Sequence, residues 1–160
     1  DSSFWINAFR AKVIDFLPDY FMLHVPSVVV EEIERPIASI KSPSDAGKLF
    51  REWREGQRIT LEEPTHPLDG FDVGENFALA LAIERRLPIL LDDRAPYNQA
   101  ITRGLTVVSS AGFVVLLYTD GRVSYTEALD HIKATEINKD LLRENLQTLA
   151  LVAQLKGDRT

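Results

Sequence analysis

The 160-residue sequence contains no cysteine. That absence excludes a disulfide framework, a thiolate nucleophile and a cysteine-ligated zinc site. Histidine is scarce: His24, His66 and His131 stand far apart, without zinc-site spacing. No apolar run reaches the roughly 18 residues that a membrane-spanning helix needs. The opening "DSSFWINAFR" has no basic segment followed by an apolar one, so no secretory signal is read there. A cytoplasmic location without membrane association is the expectation. Positive charge is in deficit as well. Eighteen Lys and Arg face 24 Asp and Glu, a net charge of −6. A protein that coats nucleic acid with a basic surface is therefore disfavoured. A local basic rim fits that count, and acids that hold cations would themselves lower the formal charge.

What is present suits one globular domain over residues 1–160, with 45% hydrophobic and 26% charged residues. "DSSFWI" is a polar turn before an apolar helix. "FMLHVP" (Phe21 to Pro26) predicts a short strand, and Ser27 a cap for a helix through "VVVEEIE". Ser44 and Asp45 open a stronger helix, with Ala46, Leu49, Phe50 and Trp53 on one face and Gly56 as its stop. "RITLEE", "PILL" and "LTVVS" predict three more strands. The Pro- and Gly-bearing "PTHPLDGFDVG" is a loop, and "ENFALALAIERR" a helix after it. "RAPYNQAITRG" is a helix with Pro96 in its first turn, and "AGFVVLLY" an apolar one. C-terminal helices follow from about residue 124: Ser124 and Glu127 form a capping box, and Asn138 caps a helix striped with Leu141, Leu142, Leu146, Leu149, Val152 and Ala153. Short strands alternate with helices, and no hairpin signal appears. The pattern predicts an α/β fold, parallel strands joined by helical crossovers with helices on both faces.

In such sheets, ligand groups gather beyond the carboxyl ends of the strands. Acids recur there. Asp1 leads the first helix, Glu31 and Glu32 follow "FMLHVP", Glu75 follows Gly74, and Asp92 and Asp93 end "PILL". Acids in first helical turns are also favoured by the macrodipole, by about 0.3–1 kcal/mol. Taken singly, each acid suits a cap as well as a site. Convergent carboxylates without a lysine among them repel, and a divalent cation removes that cost. With oxygen ligands only, the metal would be hard, Mg²⁺ or Mn²⁺.

These residues carry a resemblance. "DSSFWI" is similar to the opening motif of the PIN domain family, and "VPSVVVEEI" to its second motif, favouring Glu32 over Glu31. "VGENFALALAIERRLPILLDDRAPYNQAITRGLTVVSSAGFVVLL" resembles a prokaryotic, toxin-ribonuclease-like branch, as does the C-terminal tail. The resemblance implies a three-layer α/β/α sandwich with a short parallel sheet. It also implies a metal-dependent nuclease, usually acting on RNA, in which Mg²⁺ or Mn²⁺ activates water against a phosphodiester. Carried over, Asp1, Glu32, Glu75 and Asp92 would be the catalytic acids, with Asp93 a fifth metal ligand or a substitute for Asp92. Ser2 and Arg94 would touch substrate, with Arg103 a second candidate for the RNA backbone. The family places a strand ahead of the first Asp, so such a strand is expected upstream of Asp1.

Lys41, Lys48, Arg51, Arg54 and Arg58, between the second and third motifs, would form an RNA-facing rim, a partner surface or simply the solvated face of an amphipathic helix. The implied partners are single-stranded RNA, a small antitoxin protein and a second copy of the chain. The dimer would use the Leu141–Val152 stripe and "FVVLLY", with packing of that stripe on the chain's own sheet as the alternative. Two alternatives stay open: a receiver-like signalling module, and a PIN relative that acts through partner binding. A receiver would want a Lys after its fifth strand, and none follows "LTVVSS".

Overall fold

Each strand is short and leads into a helix. In the computed structural model, which describes residues 1–36, 38 and 44–157, α1 (Ser2–Arg10) and a 3₁₀ turn (Ile14–Asp19) precede β1 (Leu23–Val25) and α2 (Ser27–Glu34). Next come α3 (Asp45–Glu55), β2 (Ile59–Leu61), α4 (Val73–Arg85), β3 (Ile89–Leu90) and α5 (Arg94–Thr102). β4 (Val107–Val108), α6 (Ser110–Thr119), α7 (Tyr125–Ala134) and α8 (Lys139–Lys156) complete the chain. The predicted strands shorten to two or three paired residues. β1 lies parallel to β2, with Leu23 opposite Ile59, and β3 parallel to β4, with Ile89 opposite Val107. The α/β class and the short parallel sheet between helices are as the sequence predicts. Parallel neighbours require long crossovers, and the helices supply them.

Among the described residues, the two strand pairs are not hydrogen-bonded to each other. An apolar slot of about 300 Å³ separates them, lined by Leu23, His24 and Val25 on one side and Ile89 and Leu90 on the other. Asp1 also lines it, and its backbone nitrogen donates to the Leu90 carbonyl at 2.8 Å.

Helix starts explain most boundary differences. Asp72, not Glu75, caps α4, and Glu75 is its reciprocal partner in a capping box, so α4 begins two residues earlier than predicted. Ser27 is the first residue of α2 rather than its cap, and its N–H donates to the Glu63 carboxylate at 2.8 Å. Ser44, Ser124 and Asn138 cap as predicted. Trp5 joins α1 to α3: it packs edge-on against Phe50 and Trp53, and its indole N–H donates to the Ala46 carbonyl. This seating fixes the N-terminal turn of α1, which carries Asp1. Leu141, Leu149 and Ala153 are fully buried, Leu142, Leu146 and Val152 pack against the core, and α6 is buried almost all round. Both surfaces on which the sequence rested a dimer are thus covered within one chain. Among the described residues, no helix is long and apolar enough to cross a membrane.

Candidate metal centre

Three helix N-termini bring three carboxylates together. Asp1 is the N-cap of α1, Glu75 is the third residue of α4, and Asp93 is the N-cap of α5. One oxygen from each lies within 4.8 Å of the others. Exposed amide groups and helix dipoles offset part of the crowding of negative charge. They do not offset all of it. Burial, and then the neighbouring Asp93 charge, push the Glu75 pKa above its ordinary value. Asp1 spends one oxygen, Oδ1, on the Phe4 N–H at 2.9 Å. Its other oxygen, Oδ2, is buried and has no hydrogen-bond partner. A buried acceptor left unpaired costs about 1–3 kcal/mol. A divalent cation bound by the three acids would satisfy it, and an all-oxygen donor set fits Mg²⁺ or Mn²⁺. The group can therefore hold a divalent metal.

The surrounding cleft encloses about 580 Å³, and Glu31, Glu32 and Asp72 add to its acidity. Glu32 stands beside the triad rather than within it. Its carboxylate accepts from the Ser2 hydroxyl at 2.9 Å and from the Gly74 N–H at 3.2 Å. Gly74 is required by this approach, since a Cβ there would stand 2.5 Å from both Glu32 oxygens. Gly74→Ala is expected to leave the fold intact, because a helical alanine gains about 1 kcal/mol over glycine and the obstructing group is the end of a side chain. It should displace Glu32 and weaken divalent-metal binding at the neighbouring triad by roughly tenfold, the scale seen when a supporting shell is lost. A melting curve beside a Mn²⁺ titration checks both halves.

Asp92, expected as a ligand from the sequence, is not brought into this group; Asp93 holds that place. Asp92 is 3% exposed and faces inward. Its Oδ1 accepts from the Ser110 N–H, and its Oδ2 from the Ser110 hydroxyl and the Asn7 amide, each at 2.7 Å. Burial raises its pKa despite these donors. Its bonds tie the end of β3 to α1 and to the first residue of α6.

Arg94 is clamped to α8, with two nitrogens donating to the two Glu144 oxygens at 2.9 Å each. Arg103 ends α5 at the exposed surface. The α3 cations are engaged too: Lys48 pairs with Asp45, and Arg51 and Arg54 both pair with Glu34. Arg58 lies over the Trp53 ring, and Lys41 falls outside the described residues. Among the described residues, Arg35 is the cation that lines the acidic cleft. Sequence reasoning missed Ser3, whose hydroxyl donates to Asp93 Oδ2 at 2.7 Å across 90 residues of chain, and it missed Asn7. Nothing local in the sequence marks either residue.

Neither the comparison with curated proteins nor that with solved structures returned a match. A family model, described as PIN domain (DUF3368), matches residues 1–150. That span carries the convergent acids, the parallel strands and most of the C-terminal helices. With nearly the whole chain matched, the protein belongs to the PIN-domain family.

Proposed function

We propose that the chain is a metal-dependent phosphodiester hydrolase acting on single-stranded RNA. The observation that carries the proposal is the unpartnered, buried Oδ2 of Asp1, a residue whose carboxylate groups with those of Glu75 and Asp93. Asp1, Glu75 and Asp93 hold Mg²⁺ or Mn²⁺. The ion, when bound, supplies a water of lowered pKa and neutralises charge on the phosphate. Ser3 fixes Asp93, while Ser2 and the N-terminus of α4 fix Glu32. Glu32 completes an acidic quartet with Asp93 in the role first given to Asp92. The resemblance to toxin ribonucleases supports a small antitoxin as partner and a homodimer as the assembly. Light scattering at micromolar concentration should give twice the chain mass. With the α8 stripe packed inward, Leu151 and Leu155 on the exposed side of α8 become the residues to test, and Leu155→Glu should return a monomer.

The primary test is cleavage of single-stranded RNA with Mn²⁺ and with EDTA. Activity should vanish in EDTA and return with excess Mn²⁺; cleavage that persists in EDTA would refute the metal mechanism. A pH series adds an independent measure. Glu75 binds its proton more tightly in the metal-free native state than in the unfolded chain. Its contribution to stability is therefore present below the unfolded pKa and lost as pH rises through the raised native value. Metal affinity runs the opposite way, full above the raised value and falling as protons compete below it. The melting-temperature gain from Mn²⁺ should thus grow as pH rises from the carboxylate range towards neutrality.

A further inference from the structure

One face of α1 leads away from the metal centre. Ser3, Ile6, Asn7 and Arg10 recur at i, i+3, i+4 and i+7, a single helical stripe. The α7–α8 connector, with Glu136, Ile137 and Asn138, faces it, and the two enclose a recess of about 250 Å³. Ser3 and Asp93 line both this recess and the acidic cleft, so the hollows share a wall. The recess has a fixed polar side: Asn7 donates to Asp92 and accepts from Arg10 and from the Glu136 N–H. It also has apolar surface, from Ile6, 37% exposed, and the half-buried Ile137. Arg10 stands at the far end, about 10 Å along the helix from Ser3.

We infer that this recess is a nucleoside subsite for the nucleotide next to the scissile phosphate. The inference rests on the phosphodiester-hydrolase reading. The base lies against Ile6 and Ile137, and the following phosphate meets Arg10. The order of chemistry along α1 is the order along a nucleic acid strand: a metal-held phosphate at Ser3 and Asp93, an apolar ring face, then a second anion. The volume is smaller than a drug-sized ligand site, about 300–1,000 Å³. It suits one base with its sugar and excludes a duplex, so the base must be unpaired, as in single-stranded recognition. Arg10 is available. Its side chain is 42% exposed, and its Nη1 contacts Asn7 at 3.2 Å and Glu136 at 3.0 Å. Glu136 is 74% exposed, and an exposed ion pair exchanges readily for a phosphate.

The test is methyl NMR on the full chain with uridine and adenosine monophosphates, with inorganic phosphate as control. Nucleotides should shift the Ile6 and Ile137 methyl signals, and phosphate alone should not. Ile6→Ala and Arg10→Gln should each raise KM for single-stranded RNA about fivefold, as loss of a few half-buried carbons or one exposed charge contact implies. Mn²⁺ affinity should stay unchanged. Unshifted Ile6 and Ile137 methyls, equal shifts with phosphate, or shifts confined to Val28 and Val73 of the acidic cleft would overturn the subsite. If the wild type cleaves no RNA, the hydrolase reading fails separately, and the nucleotide titration still decides the recess.

Discussion

Glu75→Gln and Asp93→Asn should each lower Mn²⁺-dependent RNA cleavage by about a hundred- to a thousandfold, the range for loss of one electrostatic element of an active site. The metal-free protein should melt no lower than wild type. Both substitutions keep the local backbone role of the residue they replace. Glutamine at the third position of α4 still serves the capping box with Asp72. The Asp93 side chain makes no capping bond in α5, and the asparagine oxygen can still accept from the Ser3 hydroxyl. What each removes is one negative charge from three crowded carboxylates, and relief of that repulsion offsets the small loss in capping. Activity and stability should therefore separate. The same experiment tests whether Glu75 is only a capping residue. In that case Glu75→Gln would change neither quantity, and the proposed centre would lose a ligand.

The features legible in the sequence were the local ones. Alternation of short apolar runs with 3.6-residue periodicity predicted the α/β class. Cap residues such as Ser44, Ser124 and Asn138 sit where their chemistry requires. Phe50 and Trp53 face the core, as spacing predicts. Asp1 and Glu75 were legible as candidate site residues because acids at strand-to-helix transitions lie on one side of a parallel sheet. The choice between Asp92 and Asp93 was not legible. Adjacent residues leaving a strand point to opposite sides. Which side faces the cleft depends on where α1 and α6 lie, through contacts 85 and 18 residues distant. Whether the α8 stripe packs inward or against a second copy was open for the same reason: the partners that cover it come from α6 and α7.

Asp92 should prove a structural carboxylate, and its removal the costliest for stability among the acids near the centre. Asp92→Ala strips the acceptor from the Ser110 N–H and the Asn7 amide, both inside a buried network. Two orphaned donors and the lost charge-assisted bonds should cost about 3–5 kcal/mol. At about 2–4 °C per kcal/mol for a chain of this size, the melting temperature should fall by about 10 °C. Asp92→Asn should cost less. Its oxygen can keep the Ser110 N–H, and the Ser110 hydroxyl can turn to accept. The new amide nitrogen then faces the Asn7 amide, donor against donor, at a cost of about 1–2 kcal/mol. Mn²⁺ affinity should change little in Asp92→Asn, because Asp1, Glu75 and Asp93 remain. The opposite result, unchanged melting with lost Mn²⁺ binding, would return the ligand role to Asp92. A double-mutant cycle with Ser110→Ala measures the network itself: the two losses should be less than additive, since both remove the same hydrogen bond.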